Sequence, residues 1–111
     1  NTATTNNAGV NSDTSGYSIA ANADGGPWTH SNIDKFPFAS QTTATEVGEV
    51  DEITYGICAS SSTQSGYTAG GNRSSGGPSI KIRKFPFASD GDSTDVGNLE
   101  YNTGDGASAQ Y

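Results

Sequence analysis

A chain of 111 residues holds one domain at most, near the lower end of comfortable domain size. Twelve acids against five bases leave a formal charge of −7, which argues against a nucleic-acid partner and disfavours an anionic membrane surface. Only 31% of residues are hydrophobic, no apolar run approaches the roughly 18 residues of a membrane-inserted span, and the single Cys58 excludes an internal disulfide framework. Aromatics and periodicity are nonetheless present, which separates this composition from a disordered one and points to a turn-rich all-β chain.

In chain order, residues 1–7 (NTATTNN) read as a tail or a strand exchanged with a neighbour. The chain opens on Asn1 without a signal peptide, the mark of a processed chain or of part of a longer one. Residues 8–56 form a first repeat. A short first strand over Ala8–Ser12 leads to a second through Tyr17, which a Gly-rich loop ends. The loop PWTHSNI leads to a third strand, Ile33–Ala39, and a fourth runs from Val47 through Ile53. Residues 57–105 repeat this: a first strand over Gly56–Ser62, a second through Tyr67, a third over Ile80–Ala88, a fourth from Val96 through Tyr101. Residues 106–111 begin a third repeat or supply a closing strand. No 3.6-residue apolar period appears, so no helix is expected.

The repeat rests on four matched elements. Ile33–Ser40 (IDKFPFAS) and Ile82–Ser89 (IRKFPFAS) agree at seven of eight positions. Ser15-Gly16-Tyr17 recurs as Ser65-Gly66-Tyr67, Gly25-Gly26-Pro27 as Gly76-Gly77-Pro78, and Thr45-Glu46-Val47-Gly48 as Thr94-Asp95-Val96-Gly97. Alternation places Asp34, Phe36 and Phe38 on one strand face and Ile33, Lys35 and Pro37 on the other. Tyr17, Phe36, Phe38, Val47, Tyr67, Phe85, Phe87 and Val96 are therefore expected to form the repeated core. Pro37 and Pro86 cannot donate a ladder hydrogen bond, so they belong at a bulge or beyond the end of a neighbouring strand.

Chemistry is sparse. His30 stands in the variable loop and reads as solvated; Cys58 reads as a small buried residue rather than a nucleophile. No convergent set of titratable groups points to an enzyme. No cofactor is implied beyond a calcium candidate at Asp90, Asp92 and Asp95, three carboxylates in a turn that reads first as a solvated Asp/Gly turn. Trp28, with His30, Asn32 and Arg73, is the ligand-binding candidate, because small sugars bind through aromatic faces plus a few polar groups. Packing is the competing reading of Trp28.

Four strands in about 50 residues, with a Gly-Gly pair after the second, is the layout of a propeller blade. The sequence resembles a divergent kelch-type repeat: Ser65–Gly71 (SGYTAGG) takes the place of the second strand and its glycine pair, Ile82–Phe87 that of the third, and Val96–Leu99 that of the fourth strand's end. It is similar in particular to the KFPFAS/ATDVGDL/GYTSGG repeat arrays of marine bacteriophage and bacterial proteins. The usual fourth-strand Trp and Arg of kelch repeats are missing. The resemblance implies two four-stranded blades, with the ring completed by oligomerisation or by a longer parent chain. It also implies an extracellular or virion-surface setting: a non-enzymatic module of a tail fibre or similar appendage, displaying inter-blade loops to a host glycan or protein. The alternative is a purely structural subunit, a homo-oligomer or filament held by strand exchange.

Overall fold

The computed structural model describes residues 4–5, 8–23, 30–73 and 76–103, and the regular structure among them is entirely β. In the first sheet, β1 (Thr4–Thr5) and β2 (Ala8–Asn11) lie end to end along one edge of β3 (Ser15–Ala23), followed by β4 (His30–Pro37) and β5 (Thr45–Glu49). After it, β6 (Thr54–Tyr55) pairs with β9 (Asn72–Arg73). A second four-stranded sheet has the order β11-β10-β8-β7, from β7 (Cys58–Ser61), β8 (Ser65–Ala69), β10 (Ser79–Pro86) and β11 (Thr94–Thr103). Every pairing is antiparallel.

The two sheets repeat each other register by register. Tyr17 stands opposite Lys35 as Tyr67 stands opposite Lys84, and Gly16 opposite Phe36 as Gly66 opposite Phe85. Each third–fourth strand ladder slips at the same place, between Ile33 and Asp34 and between Ile82 and Arg83. Thr4 pairs with Ala23 as Thr54 pairs with Arg73, so these two-residue strands, too short for any sequence pattern, occupy equivalent places. The turns match atom by atom. Ser12 Oγ accepts from the Ser15 amide at 3.1 Å, and Ser62 Oγ accepts from the Ser65 amide at the same distance. After β8 the chain breaks away through Gly70 and Gly71, both at positive φ (68° and 93°), which other residues rarely adopt.

Pro37 and Pro86 lie where the β4–β5 and β10–β11 ladders have already ended, at Lys35–Thr45 and Lys84–Thr94. The next amide restores the lost donor. Phe38 N–H donates to the Thr14 carbonyl at 2.9 Å and Phe87 N–H to the Gln64 carbonyl at 3.0 Å. The repeated FPF thus pins the end of the third strand to the turn before the second.

The core lies in the seam where one face of the first sheet meets the opposite face of the second. Val10, Tyr17, Ile19, Ile33 and Val50 meet Ile57, Ala59 and Phe85, with Val47 and Phe87 at the margin. Burying side chains of this size contributes about 1.5–3 kcal/mol each, the main favourable term in a chain this poor in aliphatics. Tyr17 is in ring contact with Phe85 at 5.6 Å and stacks on Phe87 at 4.8 Å.

The expected core needs correction on one side. Phe85 is 1% exposed, but its counterpart Phe36 is 39% exposed, Phe38 57% and Val96 52%. The sequence repeats both faces of each sheet, whereas the seam covers only one face of each. The fourth strand of the first sheet also ends earlier than Ile53. Val50 N–H donates to the Ser31 carbonyl at 2.7 Å, and Asp51 and Glu52 then leave the sheet to meet Lys81 and Arg83.

Candidate functional site

Alternation along β10 puts Arg83 on the same face as Phe85, aimed into the seam, where it is fully buried. Its guanidinium is held by Asp51 through Nε and by Glu52 Oε2 at 2.7 Å through Nη2. Lys81 Nζ adds a bond to Asp51 Oδ2 at 2.7 Å. Burial works upward on the Asp51 carboxyl, but the hydrogen bonds from Lys81 and Arg83 outweigh it and hold that carboxyl below its ordinary range. The Asp51 hydrogen bond in turn raises the Lys81 ammonium. This cluster locks the linker Asp51–Glu52 to the second sheet, and its charges are spent on one another.

On the other side of the seam the loop after Phe87 reaches back. Lys35 Nζ bonds Asp90 Oδ1 at 3.2 Å while lying 5.9 Å from the centre of the Tyr17 ring, and the Asp90 bond raises the lysine. Asp92 Oδ1 accepts from the Glu49 amide at 3.0 Å, and Gly48 lets Gly91 approach so closely that a Cβ on Gly48 would fall 2.1 Å from the Gly91 carbonyl oxygen. A recess of about 310 Å³ nearby is lined by Glu49, Asp51, Glu52, Asp92 and Ser93.

A larger groove of about 550 Å³ opens along the seam. Its walls are the two equivalent turns, Ser12–Asp13–Thr14 from the first sheet and Thr63–Gln64–Ser65 from the second. Between them lie the stacked rings of Tyr17 and Phe87, the Lys35 side chain and Pro86. Aromatic and ring surface flanked by hydroxyls, an amide and an ammonium group is a lining suited to a polar ligand with apolar faces. Each turn joins the first two strands of its own four-strand unit, only the seam brings the pair together, and the sequence carries no signal of that.

The residues expected from sequence to bind a ligand are placed otherwise. Trp28 lies outside the described residues; His30 opens β4, and its side chain lies outside them too. Asn32 Nδ2 donates to Glu46 Oε2 at 2.7 Å, while Arg73 bonds the Gly77 carbonyl at 3.4 Å and lies 3.9 Å from Glu52. Neither Asn32 nor Arg73 lines the groove. Asp90, Asp92 and Asp95 do not converge either: the first binds Lys35, the second the Glu49 amide, and the third the Gly97 amide at 3.2 Å. Among the described residues no group of three or more His, Cys, Asp or Glu is placed to hold a metal ion. Cys58 is half-buried, its thiol donating to the Ala69 carbonyl at 3.3 Å.

Comparison of the chain with models of protein families and with curated proteins finds no match.

Proposed function

We propose that this chain is a non-enzymatic recognition module, two kelch-like propeller blades whose junction groove takes a saccharide at the surface of an extracellular or virion assembly. The observation that carries this reading is the groove itself, where the Tyr17–Phe87 stack lies between hydroxyl- and amide-bearing turns. A sugar ring offers an apolar face to such a stack and hydroxyls to its walls. Among the described residues its ionisable side chains, apart from the tyrosine, are Asp13 and Lys35, and Lys35 is engaged by Asp90. The kelch resemblance and the scarcity of charge among Ser, Thr, Asn and Gly support the external setting.

A glycan array tests this with three proteins: the unmodified chain, Thr63→Ala/Gln64→Ala in the groove wall, and Trp28→Ala in the β3–β4 loop. Both wall side chains are exposed, so the double variant keeps its fold. The reading expects a specific saccharide signal that the wall variant loses and the Trp28 variant keeps. No saccharide signal, or one lost only with Trp28, overturns it.

A further inference from the structure

Two faces of this protein are halves of a contact it already makes once. In the internal seam, the first sheet offers Tyr17, Ile33 and Val47, and the second offers Phe85 and Phe87. The same pieces recur, uncovered, at the two ends. The far face of the second sheet carries Tyr67, Ile82 and Val96 at the positions of Tyr17, Ile33 and Val47. Ile33 is fully buried where Ile82 is half-buried, and Val96 is exposed. The far face of the first sheet carries Phe36 and Phe38 in place of Phe85 and Phe87, with Phe36 lying over Gly16 as Phe85 lies over Gly66.

A separate observation points the same way. Gly48 is where the Gly91 loop presses onto the first sheet, leaving no room for a side chain. Its counterpart Gly97 has nothing within 4 Å of where a Cβ would stand. The second sheet thus has the same gap in its side-chain surface that the internal seam fills with a loop, and here it is open.

We infer that the Tyr67/Val96 face of one copy takes the Phe36/Phe38 face of a second copy, head to tail, in the geometry of the internal seam. The loop Gln41–Ala44 of the second copy would lie on Gly97 as Asp90–Ser93 lies on Gly48. This contact is less charged than the internal one. Gln41 stands where Asp90 stands, so Lys84 lacks the partner that Lys35 has, and Asp34 replaces Arg83 opposite the position of Asp51, which Glu100 takes. The association is therefore carried by apolar and ring contacts and is weaker than the intrachain seam. It is independent of what the groove binds.

Sedimentation equilibrium of the 111-residue chain up to about 1 mM, the weak limit of a specific contact, tests this with four substitutions. Gly97→Val fills space that is open in the single copy, so the fold stands while docking is blocked; Phe38→Ser removes an exposed ring from the opposite face. Each is expected to weaken association by about tenfold or more. Gln41→Asp restores an acid for Lys84 and is expected to tighten it about two- to fivefold, a gain that Lys84→Ala removes. Labelling of Cys58, which shares the Tyr67 face through its pairing with Ala69, is expected to slow as concentration rises. A monomer at every concentration overturns the inference, as does association that Gly97→Val leaves intact or that Gln41→Asp fails to tighten.

Discussion

Gly16 and Gly66 occupy the same place in the two sheets, and the same substitution at each separates packing from local preference. A Cβ at either site would fall 2.3 Å from the Cζ of the phenylalanine ring above it, Phe36 over Gly16 and Phe85 over Gly66. Neither glycine has positive φ, so alanine brings no backbone strain, and it lowers the entropy of the unfolded chain, a gain of about 0.4–1 kcal/mol. The difference lies in where the ring can go. Phe36 is 39% exposed and can swing toward solvent, giving up part of an edge contact with Phe38 at 6.2 Å. That loss is about 0.5 kcal/mol, so Gly16→Ala is expected to lie within about 0.5 kcal/mol of the parent. Phe85 is 1% exposed, wedged between Tyr17 and Phe87, and has no such exit. Overpacking at a site of this kind costs up to about 3 kcal/mol, so the net loss for Gly66→Ala is about 2 kcal/mol. Urea unfolding at low micromolar concentration, where self-association makes no contribution, reads this as a midpoint lowered by about 1–2 M for Gly66→Ala alone. Equal midpoints for the two variants would refute the claim that the seam is one-sided.

Three further outcomes follow from the polar contacts of the seam. Asp51 is depressed below its ordinary 3.8, so its contribution is present above that value and is lost as pH falls through the folded one; Lys35 and Lys81 are raised above 10.5, so theirs is complete below that pH and lost above it. Thermal melts across pH should therefore show a plateau that falls away below about pH 4 and above about pH 10.5. Asp51→Ala leaves Arg83 with Glu52 alone and is expected to cost about 1–3 kcal/mol in urea unfolding, less than the break of a fully buried pair because the Asp51 side chain is 34% exposed. Ser62→Ala removes the acceptor for the Gln64 and Ser65 amides, and a loss of about 1 kcal/mol by the same measurement is expected.

The repeat made the fold class legible. Two copies of one pattern, alternation within it and proline after the paired stretch suffice to give all-β sheets with matched registers; Tyr17 and Phe85 are buried as expected, and Ile33, on the strand face opposite the phenylalanines, is buried as well. The features that escaped are those in which the two copies differ. Arg83 is buried between Asp51 and Glu52, but its counterpart is Asp34, so no pattern shared by the copies announces the ion-pair cluster. The groove joins turns 50 residues apart (Ser12 and Ser62), each an ordinary turn on its own. The errors about Phe36, Phe38 and Val96 have the opposite origin: there the copies agree, but the seam covers only one face of each sheet. Within one copy Phe85 is covered in the seam, while Phe36, Phe38 and Val96 stay exposed. Identical ring and glycine positions with opposite exposure mark surfaces whose side chains suit a contact that the single copy cannot make.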